Sequence, residues 1–280
     1  MSPPDELDGG EIPDQLLPPG FLGTLENPPA VPVPTRPAAT VVLLREASAG
    51  TEVLLLRRAR SSGFVPGAWV FPGGRVDEED ADPRLLGRTE GLDSGEAARR
   101  LGLSEAAPPA IAYYMASVRE AFEETGLWPG EGGPDPSSPL VTEAREGLLS
   151  GTLGFPEVLE RLDLQIPGRA LEYIAHWITP VVEPRRYDTR FFAAVVPGGR
   201  DALIDAREMT GALWLSPSEA LERNLEGELP MVFPTLHTLR ALEGNHPPRV
   251  LLERFRGRPV PAILPRLVRT PTGVSLRIPR

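Results

Sequence analysis

The stretch that decides the fold is Arg119-Glu120-Ala121-Phe122-Glu123-Glu124-Thr125-Gly126-Leu127. It ends a helix that the sequence predicts to begin at Pro108-Pro109 and to close at Gly126. Proline favours the start of a helix, and glycine favours the position just past its end. Within this helix, apolar residues recur at helical spacing, which predicts one buried face. They are Ile111, Met115, Val118 and Phe122.

Three carboxylates lie close together near the end of this helix. Glu120 and Glu124 are four residues apart, and Glu123 is three residues from Glu120, so all three project from neighbouring positions. Like charges at this spacing destabilise a helix, and negative charge at the C-terminal end also opposes the helix dipole. A solvated acidic face is one explanation. The other is a hard divalent cation such as Mg²⁺, which prefers carboxylate oxygens and would compensate the repulsion.

A second segment, Phe71-Pro72-Gly73-Gly74, follows a short predicted strand, Ala68 to Phe71. Glycines at the end of a strand allow the backbone to approach a ligand closely. A plain turn is the alternative interpretation of these two glycines.

Together the two segments resemble the box of the Nudix hydrolases, G-x5-E-x7-R-E-U-x-E-E-x-G-U, where U is aliphatic. The second half is occupied by Arg119, Glu120, Glu123, Glu124, Gly126 and Leu127. Gly74 and Asp80 occupy the first half, with aspartate where the family has glutamate. Residues 81–118 separate the halves, 38 residues where the pattern has seven, so an insertion splits the box. A branch of the family that includes peroxisomal coenzyme A diphosphatases is similar in this respect.

A further string is similar to the motif of coenzyme A-type Nudix enzymes, L-L-T-x-R-[SA]-x3-R-x3-G-x3-F-P-G-G. The residues in register are Leu54, Leu55, Arg58, Ala59, Gly67 and the segment from Phe71 to Gly74. The chain departs from this motif at Leu56 and Gly63, where the motif has threonine and arginine. The string favours coenzyme A as substrate only mildly, because Nudix enzymes with other substrates share much of it.

The resemblance implies a divalent-metal-dependent hydrolase of a nucleoside diphosphate derivative, with coenzyme A or acyl-CoA leading and Mg²⁺ or Mn²⁺ as cofactor. The metal ligands it implies are Glu120, Glu124, Glu123 and the carbonyl of Gly73. The catalytic set it implies is Glu123, Glu124, Glu120 and an orienting Arg119, for which an ordinary helix ion pair with Glu123 is the alternative. The substrate contacts expected are Arg58, Arg75, Phe71 and Gly74, although surface arginines would explain the first two equally well.

Other functions stay open at this point. ADP-ribose, NADH and dinucleoside polyphosphates are alternative substrates for a pyrophosphatase. A Nudix module that senses a nucleotide without cleaving it is a second alternative, although an intact Arg119, Glu120, Glu123 and Glu124 set favours an enzyme. An interaction protein that uses a proline-rich arm as its ligand segment is a third.

The implied fold is α+β, a Nudix-like α/β/α sandwich with a mixed sheet, extra helices and an extended N-terminal arm. Residues 1–37 contain ten prolines and are predicted to be a poorly ordered arm. Residues 38–280 are predicted to be the Nudix domain. Its insertion, at about 81–107, is polar and rich in glycine, so it is predicted to cover the mouth of the site as a lid outside the core.

Composition and net charge exclude several kinds of site and disfavour several kinds of partner. The 280 residues are 41% hydrophobic and contain no cysteine, which excludes disulfides, thiolate metal sites and cysteine nucleophiles. A net charge of −10 disfavours a surface that grips nucleic acid, and no apolar run approaches the length of a membrane helix. We expect a cytoplasmic protein with a small-molecule nucleotide substrate, no nucleic acid or membrane partner, and a homodimer as a possible assembly.

Overall fold

The computed structural model describes residues 6–13, 21–60, 65–103, 108–130, 132–205 and 207–279. Gly63, residues 104–107 of the insertion and parts of the N-terminal arm lie outside the described residues. The chain divides into two units. The larger unit comprises Ala38–Ala175 and Arg190–Val260, and the smaller unit comprises Met1–Pro37, His176–Thr189 and Pro261–Arg280.

The described part of the chain is a mixture of strands and short helices. The strands are β1 (Glu6–Pro13), β2 (Arg36–Ala47), β3 (Gly50–Arg58), β4 (Trp69–Val70), β5 (Gly73–Arg75), β6 (Glu172–Ile178), β7 (Tyr187–Val195), β8 (Met209–Leu215), β9 (Ala262–Ile263), β10 (Arg266–Arg269) and β11 (Gly273–Pro279). The helices are α1 (Phe21–Glu26), α2 (Pro83–Gly87), α3 (Ser94–Leu101), α4 (Ala110–Thr125), α5 (Pro139–Ser150), α6 (Phe155–Leu162), α7 (Pro217–Leu225), α8 (Phe233–Ala241) and α9 (Pro248–Glu253). Glu78–Ala81 and Gly168–Ala170 form 3₁₀ turns.

The sheet of the larger unit has the strand order β4-β3-β2-β7-β6, with β5 also paired to β2 and β8 to β3. Strands β2 and β3 form an antiparallel hairpin in which Ala47 faces Gly50 across the turn. The β3 segment 53–56 is apolar at every position and completely buried. Because successive residues of a strand point to opposite faces, both faces of the sheet are covered at this strand.

Helix α4 lies at the centre of the larger unit. The helix begins after Pro109, and Gly126 closes it in the left-handed conformation at φ 70°, as predicted. The prediction of a single buried face was too narrow, because only Glu120 and Glu123 of this helix are more than slightly exposed. The reason is its composition: alanine, tyrosine and methionine occupy the sides that would otherwise face water, and α3 and α5 pack against them.

The insertion differs from its prediction. Four of its apolar side chains belong to the same buried cluster as α4, although the segment was expected to stay outside the core. They are Leu85, Leu92, Ala97 and Leu101. Asp82 and Asp93 cap α2 and α3 by accepting hydrogen bonds from backbone N–H groups, so a polar-looking stretch forms two short amphipathic helices.

The smaller unit contains strands from both ends of the chain. Within the described residues of the arm, β1 pairs with β11 and α1 forms a short helix. In the tail, β10 and β11 are antiparallel. The α+β class with a mixed sheet is confirmed, because within the smaller unit His176 and Trp177, at the end of β6, pair with β9 in parallel. None of the helices in the described part is both long and apolar enough to cross a membrane.

Adjacent leucines in α2 test whether the insertion is part of the core. Leu85 is 1% exposed and Leu86 is 40% exposed. We expect Leu85→Ala to lower the free energy of unfolding by about 2–5 kcal/mol, because it removes buried methyl groups and leaves a cavity. The matched control, Leu86→Ala, should change it by less than about 0.5 kcal/mol. Urea unfolding measures both, and equal values would mean that the insertion does not belong to the core.

Candidate active site

The end of α4 and the turn at β5 meet directly. The backbone N–H of Gly73 donates a hydrogen bond to Oε2 of Glu124 at 3.1 Å. A Cβ at Gly73 would lie 2.6 Å from the carbonyl oxygen of Ala39 on β2, and a Cβ at Gly74 would overlap the carboxylate of Glu120. Gly73 therefore requires glycine, whereas a side chain at Gly74 would displace the Glu120 carboxylate. The two halves of the split box come together as the resemblance implied.

One guanidinium organises the acidic groups. Arg119 donates from Nε to Oδ1 of Asp80 at 2.8 Å and from Nη2 to Oδ2 of the same residue at 2.9 Å. Its Nη1 donates to Oε1 of Glu120 at 2.9 Å and lies 3.3 Å from Oε1 of Glu123. Nη2 also donates to the carbonyl of Arg75 at 2.9 Å. The expected contact with Glu123 is present as one of several, so Arg119 ties α4 to the first half of the box.

Asp80, the aspartate that replaces the family's glutamate, is the buried partner of Arg119. It is 1% exposed, and its Oδ2 also accepts a hydrogen bond from the N–H of Asp77 at 2.8 Å. The shorter side chain reaches Arg119 because a 3₁₀ turn, Glu78–Ala81, packs against α4. In this arrangement Asp80 positions the arginine through two hydrogen bonds.

Burial and mutual repulsion shift the titration of the glutamates. Burial raises the pKa of Glu120 to about 7, even though Arg119 opposes the shift. Burial also raises the pKa of Glu124 well above its ordinary value, and the negative charge of Glu120 adds to this effect. Burial likewise raises the pKa of Glu123, with Arg119 again opposing. A positive charge placed between Glu120 and Glu124 would therefore be stabilised by both.

The candidate substrate contacts divide into two groups. Arg58, at the end of β3, is close enough to Glu124 to oppose the effect of burial on the pKa of that carboxyl. Arg75 is more than half exposed, with Nη2 3.9 Å from Oδ1 of Asp77. Phe71, in contrast, is only 4% exposed and belongs to the buried residues.

Sequence reasoning missed two charged residues beside the glutamates. Glu208, just before β8, adds to the raised pKa of Glu124, for which burial is the main cause. Arg145 on α5 donates hydrogen bonds to the carbonyls of Phe122 and Glu123. No local motif marks either residue, because β8 reaches the site by pairing with β3 and Arg145 by packing of α5 against α4.

The site suits a divalent cation in its chemistry. Glu124 offers a buried carboxylate and Glu120 one whose side chain is 13% exposed, and the space that Gly74 leaves open holds the carboxylate of Glu120. Among the described residues, no three His, Asp or Glu side chains already form a metal-binding group. Arg119 contacts Glu120 and Glu123, and a cation held by Glu120 and Glu124 would need backbone or water oxygens for its other ligands.

Comparison with known proteins agrees with this geometry. Residues 31–242 match the family model described as the NUDT19 Nudix domain. The chain belongs to the Nudix hydrolase family. A solved structure, the Nudix hydrolase from Alicyclobacillus acidocaldarius, is 29% identical and superposes with a TM-score of 0.62 over 81% of this chain and 99% of that one. The Nudix fold expected from the box is thereby confirmed.

Two curated relatives carry the same printed name, acyl-coenzyme A diphosphatase NUDT19. The chicken protein is 31% identical over 67% of this chain, and the human protein is 30% identical over 69% of it. The chain spans about 60% of the length of each.

Removing the charge of one Nudix glutamate tests whether that charge destabilises the metal-free protein. We expect Glu124→Gln to raise the free energy of unfolding in chelator at pH 8 by about 1 kcal/mol or more, since one pKa unit corresponds to about 1.4 kcal/mol. The glutamine oxygen still accepts the Gly73 hydrogen bond, so packing is preserved. Glu143→Gln, on the exposed side of α5, should change the value by less than about 0.5 kcal/mol. A clear drop for Glu124→Gln would assign that carboxylate a structural role instead.

Proposed function

We propose that this chain is a divalent-cation-dependent hydrolase that cleaves the diphosphate of coenzyme A or acyl-CoA. The observation that carries the proposal is the buried Glu120 and Glu124 pair beneath the Gly73-Gly74 turn. Two carboxylates buried four residues apart are costly unless a cation or protons neutralise them. A nucleotide diphosphate brings its own negative charge, which a cation bound by these carboxylates would neutralise.

Each residue of the box has a role in this proposal. Glu120 and Glu124 would hold Mg²⁺ or Mn²⁺ together with the carbonyl of Gly73, and Glu123 would join them or orient the attacking water as a base. A cation bound there supplies Lewis acidity toward the phosphates and lowers the pKa of a water molecule. Arg119 orients Glu120 and Glu123 through its hydrogen bonds.

The remaining candidates would act on the substrate. Arg58 and Arg75 would bind its phosphates, because guanidinium groups match phosphate oxygens in charge and geometry. Gly74 would let the phosphates approach the backbone. For Phe71, its 4% exposure favours packing beneath the turn over contact with the substrate.

Two observations support coenzyme A over other nucleotides. The chicken and human relatives carry the name acyl-coenzyme A diphosphatase. The motif from Leu54 to Gly74 also runs from β3 into the site, with Arg58 beside Glu124. ADP-ribose, NADH and dinucleoside polyphosphates are the competing substrates. A cytoplasmic location, the insertion's influence on substrate choice and a homodimer stay predictions from the sequence.

The direct test is a substrate screen with Mg²⁺ or Mn²⁺ in which the products are resolved by mass. We expect coenzyme A to give adenosine 3′,5′-bisphosphate and phosphopantetheine, with a higher kcat/KM than ADP-ribose, NADH or diadenosine tetraphosphate. Chelator should abolish turnover. Glu124→Gln should lower kcat/KM by more than about 100-fold, since even residues behind metal ligands cost 10–100-fold.

The control and the contrary results are specific. Glu143→Gln removes one carboxylate from the neighbouring helix α5 and should retain full activity. A higher kcat/KM for ADP-ribose than for coenzyme A would support diphosphate hydrolysis but identify ADP-ribose as the substrate. Binding of nucleotide without turnover of any substrate would favour the sensor, and full turnover by Glu124→Gln or in chelator would refute the assignment of the site.

A further inference from the structure

The C-terminal turn of α4 carries the carboxylates of Glu123 and Glu124, and negative charge at this end destabilises a helix. The last four carbonyls of a helix lack partners within it and carry partial negative charge. In this chain they belong to the turn that holds Glu123 and Glu124. The helix dipole and the side chains therefore repel one another, and something outside the helix must hold this turn in place.

Backbone N–H groups satisfy three of these carbonyls. Gly126 donates to Phe122 at 2.8 Å, Asp205 to Glu124 at 3.2 Å, and Leu203 to Thr125 at 2.8 Å. The carbonyl of Glu123 is different. Its usual donor in a continuing helix would be the N–H of Leu127, which instead donates to Oγ1 of Thr125 at 3.0 Å.

Arg145 on the neighbouring helix α5 takes the place of that donor. Its Nε donates to the Glu123 carbonyl at 2.9 Å and to the Phe122 carbonyl at 3.0 Å. Its Nη2 donates to the Glu123 carbonyl again, at 2.6 Å. The half-buried guanidinium is thus a cationic cap on the last turn of α4, held by three hydrogen bonds.

We propose that Arg145 is a positioning residue for the Nudix metal site. It fixes the backbone of Glu123 and, through the same turn, the direction in which Glu120 and Glu124 present their carboxylates. The inference rests on the proposed function, because it assumes that these glutamates bind a divalent cation. Arg145 contacts only the main chain of α4 in these three bonds, so it would act on the cation through the helix.

The two effects of removing Arg145 have opposite signs, and this makes the proposal testable. Loss of a positive charge near Glu123 and Glu124 would by itself strengthen the binding of a cation. Loss of the cap would free the last turn and weaken binding, as happens when groups that orient metal ligands are removed. If Arg145 positions the glutamates, its removal raises the Kd for the cation. If only its charge matters, its removal lowers that Kd.

The experiment is a titration of the purified full chain with Mn²⁺, followed by electron paramagnetic resonance of the free ion. We expect Arg145→Met to raise the Kd for Mn²⁺ by about 10–100-fold, the range found when second-layer residues of metal sites are removed. Arg145→Lys, which keeps the charge and loses the fork of donors, should raise it less. Arg161→Met removes an arginine that pairs with Glu143 on the surface of α5 and should leave the Kd unchanged.

Each outcome separates the proposals. Binding of Mn²⁺ by Arg145→Met that is as tight as, or tighter than, that of the unchanged protein would overturn the positioning role and leave the proposed function intact. No binding by the unchanged protein would overturn the metal site itself, and with it this role. If Arg145→Met fails to fold by circular dichroism, Arg145→Lys decides: a Kd equal to that of the unchanged protein contradicts the proposal.

Discussion

Glu120 and Glu124 stand four residues apart on a helix that is buried along nearly its whole length, and the rest of the site follows from that constraint. A carboxylate taken out of water needs positive charge or hydrogen bonds close to it. Arg119 supplies part of that to Glu120, and the Gly73 N–H supplies part to Glu124. These two contacts offset only part of the cost, and burial still raises the pKa of both carboxyls. A divalent cation bound between them would stabilise their charged forms.

The buried Arg119 also explains why the split box can work as one unit. Its five N–H groups match contacts to Asp80, Glu120, Glu123 and the Arg75 carbonyl, so both halves are held by one planar group. Between the halves, the inserted chain leaves at Asp80 and returns at α4, and its own leucines pack against that helix. The insertion is therefore part of the scaffold that fixes where α4 lies.

The sequence predicted what depends on local pattern and left out what depends on packing. The bounds of α4, its glycine stop and the β2–β3 hairpin were predictable, because proline, glycine and apolar spacing act over a few residues. The burial of Leu85 and Leu101 was not, since scattered apolar residues in a polar stretch give a weak signal. Arg145 and Glu208 were also missed, because each approaches the site from an element distant in sequence. Asp80 was found by its spacing, but its pairing with Arg119 needed the structure.

Anomalous diffraction from crystals soaked in Mn²⁺ tests most directly whether Glu120 and Glu124 of α4 form a divalent-cation site. We expect an anomalous peak within bonding distance of the carboxylates of both Glu120 and Glu124, close to the Gly73-Gly74 turn. Asp80 should stay paired with Arg119 and outside the coordination sphere. A peak bound only by exposed carboxylates elsewhere would show that these glutamates do not bind the cation. The absence of any peak, with both glutamates placed as they are in metal-free crystals, would show the same.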